Sequence, residues 1–69
     1  MDAQEVSACY QVAADCFDVI EHRPFYQALA DAYRNEAGRE VTDSLEDAAY
    51  SAGCTQLYQV GFDIDGNAA

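Results

Sequence analysis

The stretch QLYQVGFDID, residues 56–65, decides whether the chain is wholly helical or mixed. Tyr58, Val60, Phe62 and Ile64 fall on alternate positions, with Gln59, Gly61, Asp63 and Asp65 between them. That alternation predicts a strand with one apolar and one acidic face. A lone strand leaves its backbone donors and acceptors unpaired, so it needs a partner. Three are open: the connector around Glu40 to Thr42, with the third helix as a right-handed crossover; a second copy of the chain; or a target protein.

N-terminal to this stretch the pattern is helical. Residues 3–22 place Val6, Cys9, Tyr10, Ala13, Cys16, Phe17 and Ile20 on one face at 100° per residue. Val12 and Val19 widen that stripe beyond what a surface helix needs, which predicts that helix one is the central, most buried element. Arg23-Pro24 breaks the pattern, and Pro24 suits the first position of a second helix. Phe25, Leu29 and Ala32 form its core line, Gln27, Asp31 and Arg34 face out, and Gly38 suits a left-handed cap after about Ala37. After an extended connector, Asp43 to Ala52 reads as a third helix. Asp43 and Glu46 have the spacing of a capping box, Leu45, Ala48, Ala49 and Ala52 form the core face, and Gly53 is the stop. The expected fold class is therefore mostly α: one small three-helix domain spanning residues 1–69 with a C-terminal β-strand, or α+β if the strand pairs internally.

Composition narrows the function. The 69 residues carry thirteen Asp and Glu against three Arg and no Lys, a net charge of −10. That excess disfavours nucleic acid and anionic membrane as partners and favours a basic protein surface. A halophilic cytoplasm is a competing origin for it. Hydrophobic residues make up 51% of the chain, enough for a core and too many for a disordered acidic tail. The opening MDAQEV is acidic where a signal peptide needs a basic region, and no apolar run reaches the ~18 residues of a membrane span. The expected location is the cytoplasm, with the three cysteines reduced.

Catalytic and cofactor chemistry finds no motif here. Cys9, Cys16, His22 and Cys54 lack the short paired spacings of structural zinc sites. Cys9 and Cys16 read instead as small core residues. His22 has no orienting third group for nucleophilic catalysis and reads as a dipole partner at the end of helix one. Asp63, Asp65 and Asn67 alternate like the start of a calcium loop, but its Gly and Glu positions are not met. No metal, no cofactor and no enzymatic activity are expected.

The informative surface is on helix three. Asp43, Glu46 and Asp47 surround Tyr50, with both Glu46 and Asp47 within one turn of it. A solvated polar face explains that arrangement. So does a docking face, in which carboxylates roughly 5–6 Å apart at Cβ approximate duplex phosphates and the ring stacks on a partner's Arg. Asp15 and Asp18 on helix one add to the acidic surface. The whole chain, small, strongly acidic, Ala-rich and Lys-free, resembles in size and charge the small phage-encoded anti-CRISPR proteins. No sequence signature is shared. The resemblance implies a non-catalytic inhibitor, acting in the host bacterial cytoplasm, that blocks a basic nucleic-acid-binding surface of a defence effector, often as a nucleic-acid mimic. An antitoxin, an anti-transcription-factor module and a small phage structural subunit are the alternatives. The open strand edge and the wide stripe of helix one also allow a homodimer.

Overall fold

The first backbone pairing in the chain joins its start to the connector between the second and third helices. Asp2 and Glu40 form an isolated antiparallel bridge. Ala3 N–H donates to the Arg39 carbonyl at 2.9 Å and Val41 N–H to the Met1 carbonyl at 3.0 Å. The connector is thus extended, as expected, but its partner is the N-terminal segment. These relations come from a computed structural model that describes residues 1–16 and 22–62.

Among the described residues there are three helices, α1 (Ala3–Cys16), α2 (Arg23–Arg34) and α3 (Asp43–Gln59). The mostly α, three-helix fold expected from the sequence is the one observed. Each helix begins on a physical signal. The Asp2 carboxylate accepts from Gln4 N–H at 2.7 Å at the start of α1. Pro24 sits in the first turn of α2, where a missing N–H has no cost. Thr42 Oγ1 accepts from Leu45 N–H at 3.1 Å at the start of α3. The α3 cap is therefore Thr42, one residue before the expected Asp43. With Leu45 three residues after it, no capping box forms. α2 ends at Arg34, earlier than expected, and unwinds through short turns to Gly38 at φ +90°.

The C-terminal stretch corrects the sequence reading most sharply. Gly53 does not stop α3, which continues to Gln59. Tyr58 and Gln59, expected to begin the strand, are helical. The stop is Gly61, at φ +96°. Its N–H donates to the Tyr58 carbonyl at 3.0 Å, and Phe62 N–H donates to Leu57 at 3.1 Å. That pair of bonds is the Schellman ending, which favours glycine at this position. Asp63, Ile64 and Asp65, with the calcium-like alternation, lie outside the described residues.

α2 is the central helix, packed by α1 on one side and α3 on the other, while α1 and α3 make no close backbone approach to each other. This overturns the expectation that helix one is central. The wide stripe read on it is in fact partly solvent-facing: Val12 is 62% exposed, and Cys9 and Cys16 are exposed rather than core. α1 instead buries the small residues Ala3, Ser7 and Ala14. They allow close approach to α2, and Ser7 Oγ donates to the Ala30 carbonyl at 2.6 Å within that contact. Phe17, Asp18, Val19 and Ile20 lie outside the described residues. His22 immediately precedes α2, where its side chain makes no capping bond; its relation to the end of helix one passes through residues outside those described.

Gln27 and Arg34 of α2, expected to face out, meet Gln11 of α1 instead. Gln11 and Gln27 exchange two amide hydrogen bonds, each 2.8 Å. Arg34 reaches Gln11 at 2.9 Å and Asp31 at 3.2 Å. A reciprocal pair of this kind fixes the register of two helices, because a shift of one residue breaks both bonds.

On the other side, α3 buries Ala49, Gly53 and Leu57, with Leu45 half-buried. These lie four residues apart, a single ridge of the kind used in the commonest class of helix crossing. Ala48 and Ala52, expected in the core, are exposed. A Cβ on Gly53 would stand 2.7 Å from two carbons of the Phe25 ring and 3.3 Å from the Phe25 carbonyl oxygen. Replacing a mid-helix glycine by alanine ordinarily gains about 1 kcal/mol of helix propensity. At this contact the gain is outweighed, since overpacking costs about 1–3 kcal/mol. Gly53→Ala therefore lowers the urea midpoint, and adding Phe25→Leu restores part of the loss. A midpoint that rises with Gly53→Ala alone would mean that the ring moves aside freely.

Candidate functional groove

Five aromatic rings run in sequence across the face where the three helices meet. Tyr33 stacks on Tyr10 at 5.7 Å between centroids and Tyr10 on Tyr26 at 6.1 Å. Tyr26 meets Phe25 edge-on at 5.3 Å, and Phe25 meets Tyr50 edge-on at 5.7 Å. Offset stacking and edge-to-face contacts are the preferred geometries of such pairs. The row passes from buried at Tyr33 to open at Tyr50, which is 51% exposed. Beside it lies an open groove of about 780 Å³.

One lip of the groove is α3. Glu46, Asp47 and Tyr50, singled out from the sequence as an outward face, line it together. Tyr50 folds onto Phe25 of α2. Asp43 is exposed in the first turn of α3 and does not line the groove. Asp15 is on α1, where its carboxylate accepts from Gln11 at 3.2 Å, so it is not part of this lip. Asp18 lies outside the described residues. The groove's floor was missed by sequence reasoning. Periodicity places Tyr10 and Phe25 on separate helices, and nothing in one dimension puts them in one row with Tyr26.

The charges divide into two groups. Arg34 is engaged by Asp31 at 3.2 Å and Arg39 by Glu36 at 3.4 Å, both exposed pairs one turn apart. The Met1 ammonium pairs with Glu40, whose hydrogen bond and charge raise the pKa of the amino group above its ordinary value. Asp43, Glu46 and Asp47 make no hydrogen bond or ion pair through their side chains among the described residues. Part of their placement is structural: Asp43 and Glu46 stand in the first turn of α3, where the helix dipole favours negative charge. Asp47 is beyond that turn.

Among the described residues no three His, Cys, Asp or Glu side chains gather in a way that would hold a metal ion. No helix there is long and apolar enough to cross a membrane. No protein-family model, no curated protein and no solved structure matches the chain.

Burial raises the pKa of the Tyr33 hydroxyl above its ordinary value of 10, and charge on Tyr10 and Glu46 raises it further. A proton held more tightly in the folded state favours folding below the unfolded pKa, near 10, and that contribution is lost as pH rises through the folded value. Tyr33→Phe removes this proton. Its urea midpoint should fall less than wild type's between pH 9.5 and pH 11, with stability at pH 7 within about 1 kcal/mol. Equal alkaline losses in the two proteins would assign the effect to other groups.

Proposed function

We propose that this chain is a non-catalytic binding protein whose acidic α3 surface docks on a basic, nucleic-acid-binding surface of another protein and blocks it. One observation carries the reading: two of the three arginines are held by Asp31 and Glu36, while Asp43, Glu46 and Asp47 stand on one helix without an ion-pair partner among the described residues. Tyr50, exposed between them, has the character of an interface anchor, since tyrosine and arginine dominate binding energy at protein interfaces. The resemblance in size and charge to anti-CRISPR proteins makes the DNA- or RNA-binding surface of a bacterial defence effector the proposed target. An antitoxin or anti-transcription-factor module is the second reading. It is favoured by the groove, which is open enough to take a segment of a partner.

The test is capture from host lysate after nuclease treatment, followed by competition with duplex DNA and RNA for the captured protein. Changing Asp43, Glu46 and Asp47 together to Asn, Gln and Asn keeps their shapes and removes three charges. Affinity for the captured protein should fall at least tenfold, about 1.4 kcal/mol, and wild-type binding should weaken steeply as salt is raised. The melting temperature should hold or rise, because relief of like-charge repulsion offsets the lost dipole contacts. Asp15 and Asp18 changed to Asn serve as the control. Equal weakening by both sets would make the acidity a diffuse field, and no weakening by either would remove the acidic surface from the interface.

A further inference from the structure

We infer that the groove where the three helices meet is a seat for an arginine side chain flanked by an apolar residue on a basic partner segment. The inference rests on the docking reading above and names what enters the site. Its floor is aromatic, formed by Tyr10, Tyr26 and Phe25, and its α3 lip carries the two carboxylates Glu46 and Asp47 beside Tyr50. An aromatic floor alone suits any apolar group. A lip with two carboxylates and an exposed phenol ring suits a planar cation, because a guanidinium stacks on an aromatic face while donating to carboxylate oxygens in its own plane.

Charge decides among the occupants. A second copy of this chain brings a net charge of −10 to an acidic lip. A neutral apolar peptide would cover Glu46 and Asp47 without offering them a donor, and burying an unpaired carboxylate is costly. A segment with arginine and an apolar neighbour satisfies both parts. Lysine satisfies them less well, since its ammonium is a strongly hydrated point charge without a stacking plane.

The probes are three blocked hexapeptides: Ac-Arg-Leu-Arg-Arg-Leu-Arg-amide, its lysine version, and the version with serine for leucine. Each is titrated into the isotope-labelled protein and followed by NMR. The arginine–leucine peptide should shift the ring signals of Tyr50 and Phe25 and the side-chain signals of Val6, which also lines the groove. It should bind at least fivefold tighter than either other peptide. Glu46→Gln with Asp47→Asn, and separately Tyr50→Ala, should each weaken it fivefold or more. All three positions are exposed, and the amide spectrum of the same sample reports whether the fold is kept. Equal binding of all three peptides, or shifts spread over the acidic surface as far as Asp15, would overturn the groove as an arginine seat. If in that case protein capture still depended on Asp43, Glu46 and Asp47, the docking reading would stand without it. Peptide seated in the groove with capture indifferent to those three acids would uphold the seat and remove the acidic-surface reading.

Discussion

The ring of Phe25 occupies the place where a side chain at position 53 would be, and the arrangement of the helices follows from that contact. α3 comes close enough to α2 for its glycine backbone to face the ring directly. α1 approaches the opposite side of α2 through Ala3, Ser7 and Ala14, close enough for a serine hydroxyl to reach a backbone carbonyl of its neighbour. A 69-residue chain with three phenylalanines and no tryptophan has few bulky groups from which to build a core. Dispersion rewards close approach, and small residues at a helix interface make it available. The abundance of alanine thus acts as a packing device: the small residues bring the backbones together, and the rings of α2 fill what remains.

Much of the fold was legible. Proline and glycine placed the start of α2 and the turn after it, and binary patterning placed three helices in a mostly α domain. What failed was the meaning of particular residues. Gly53 and Gly61 are both helix-stopping signals in one dimension. Only the ring of Phe25, packed across the helix from another element, separates the glycine that closes a contact from the one that closes a helix. Tyr58, Val60 and Phe62 alternate because one side of a helix end, its cap and a capping segment happen to do so. Leu57, between Gln56 and Tyr58, is the buried member. The cysteines misled for a related reason. Free cysteine is usually buried, but the close face of α1 needed serine and alanine, and Cys9 and Cys16 were left on the open side.

The candidate site was half legible, and the division is physical. Spacing along one helix identified Glu46, Asp47 and Tyr50 as neighbours, because residues three and four apart share a face whatever the tertiary structure. It could not say that Asp43 misses the groove, that Gln11, bonded to Asp15 within α1, also pairs with Gln27 of α2, or that α1 and α2 supply an aromatic floor. Those facts depend on the order of the helices in space. The sequence reading had placed α1 in the middle, which would have separated Phe25 from Tyr50.

An acidic surface that serves only to hold water has no reason to favour one kind of neighbour. The carboxylates of this chain are not placed alike. Asp2 caps α1, Asp31 and Glu36 hold arginines, Glu40 holds the amino group of Met1, and Asp15 completes an amide network. Each of these has a structural task within the domain. Glu46 and Asp47 border a row of five rings and meet no cation among the described residues. The helix dipole accounts for the position of Glu46 in the first turn but not for Asp47, the next residue and past that turn, nor for the half-exposed ring beside them. A diffuse solvating charge would be indifferent to those rings. A cation with a flat apolar face would use the carboxylates and the rings at once, which makes the groove, rather than the net charge, the feature that separates a docking face from a merely acidic one.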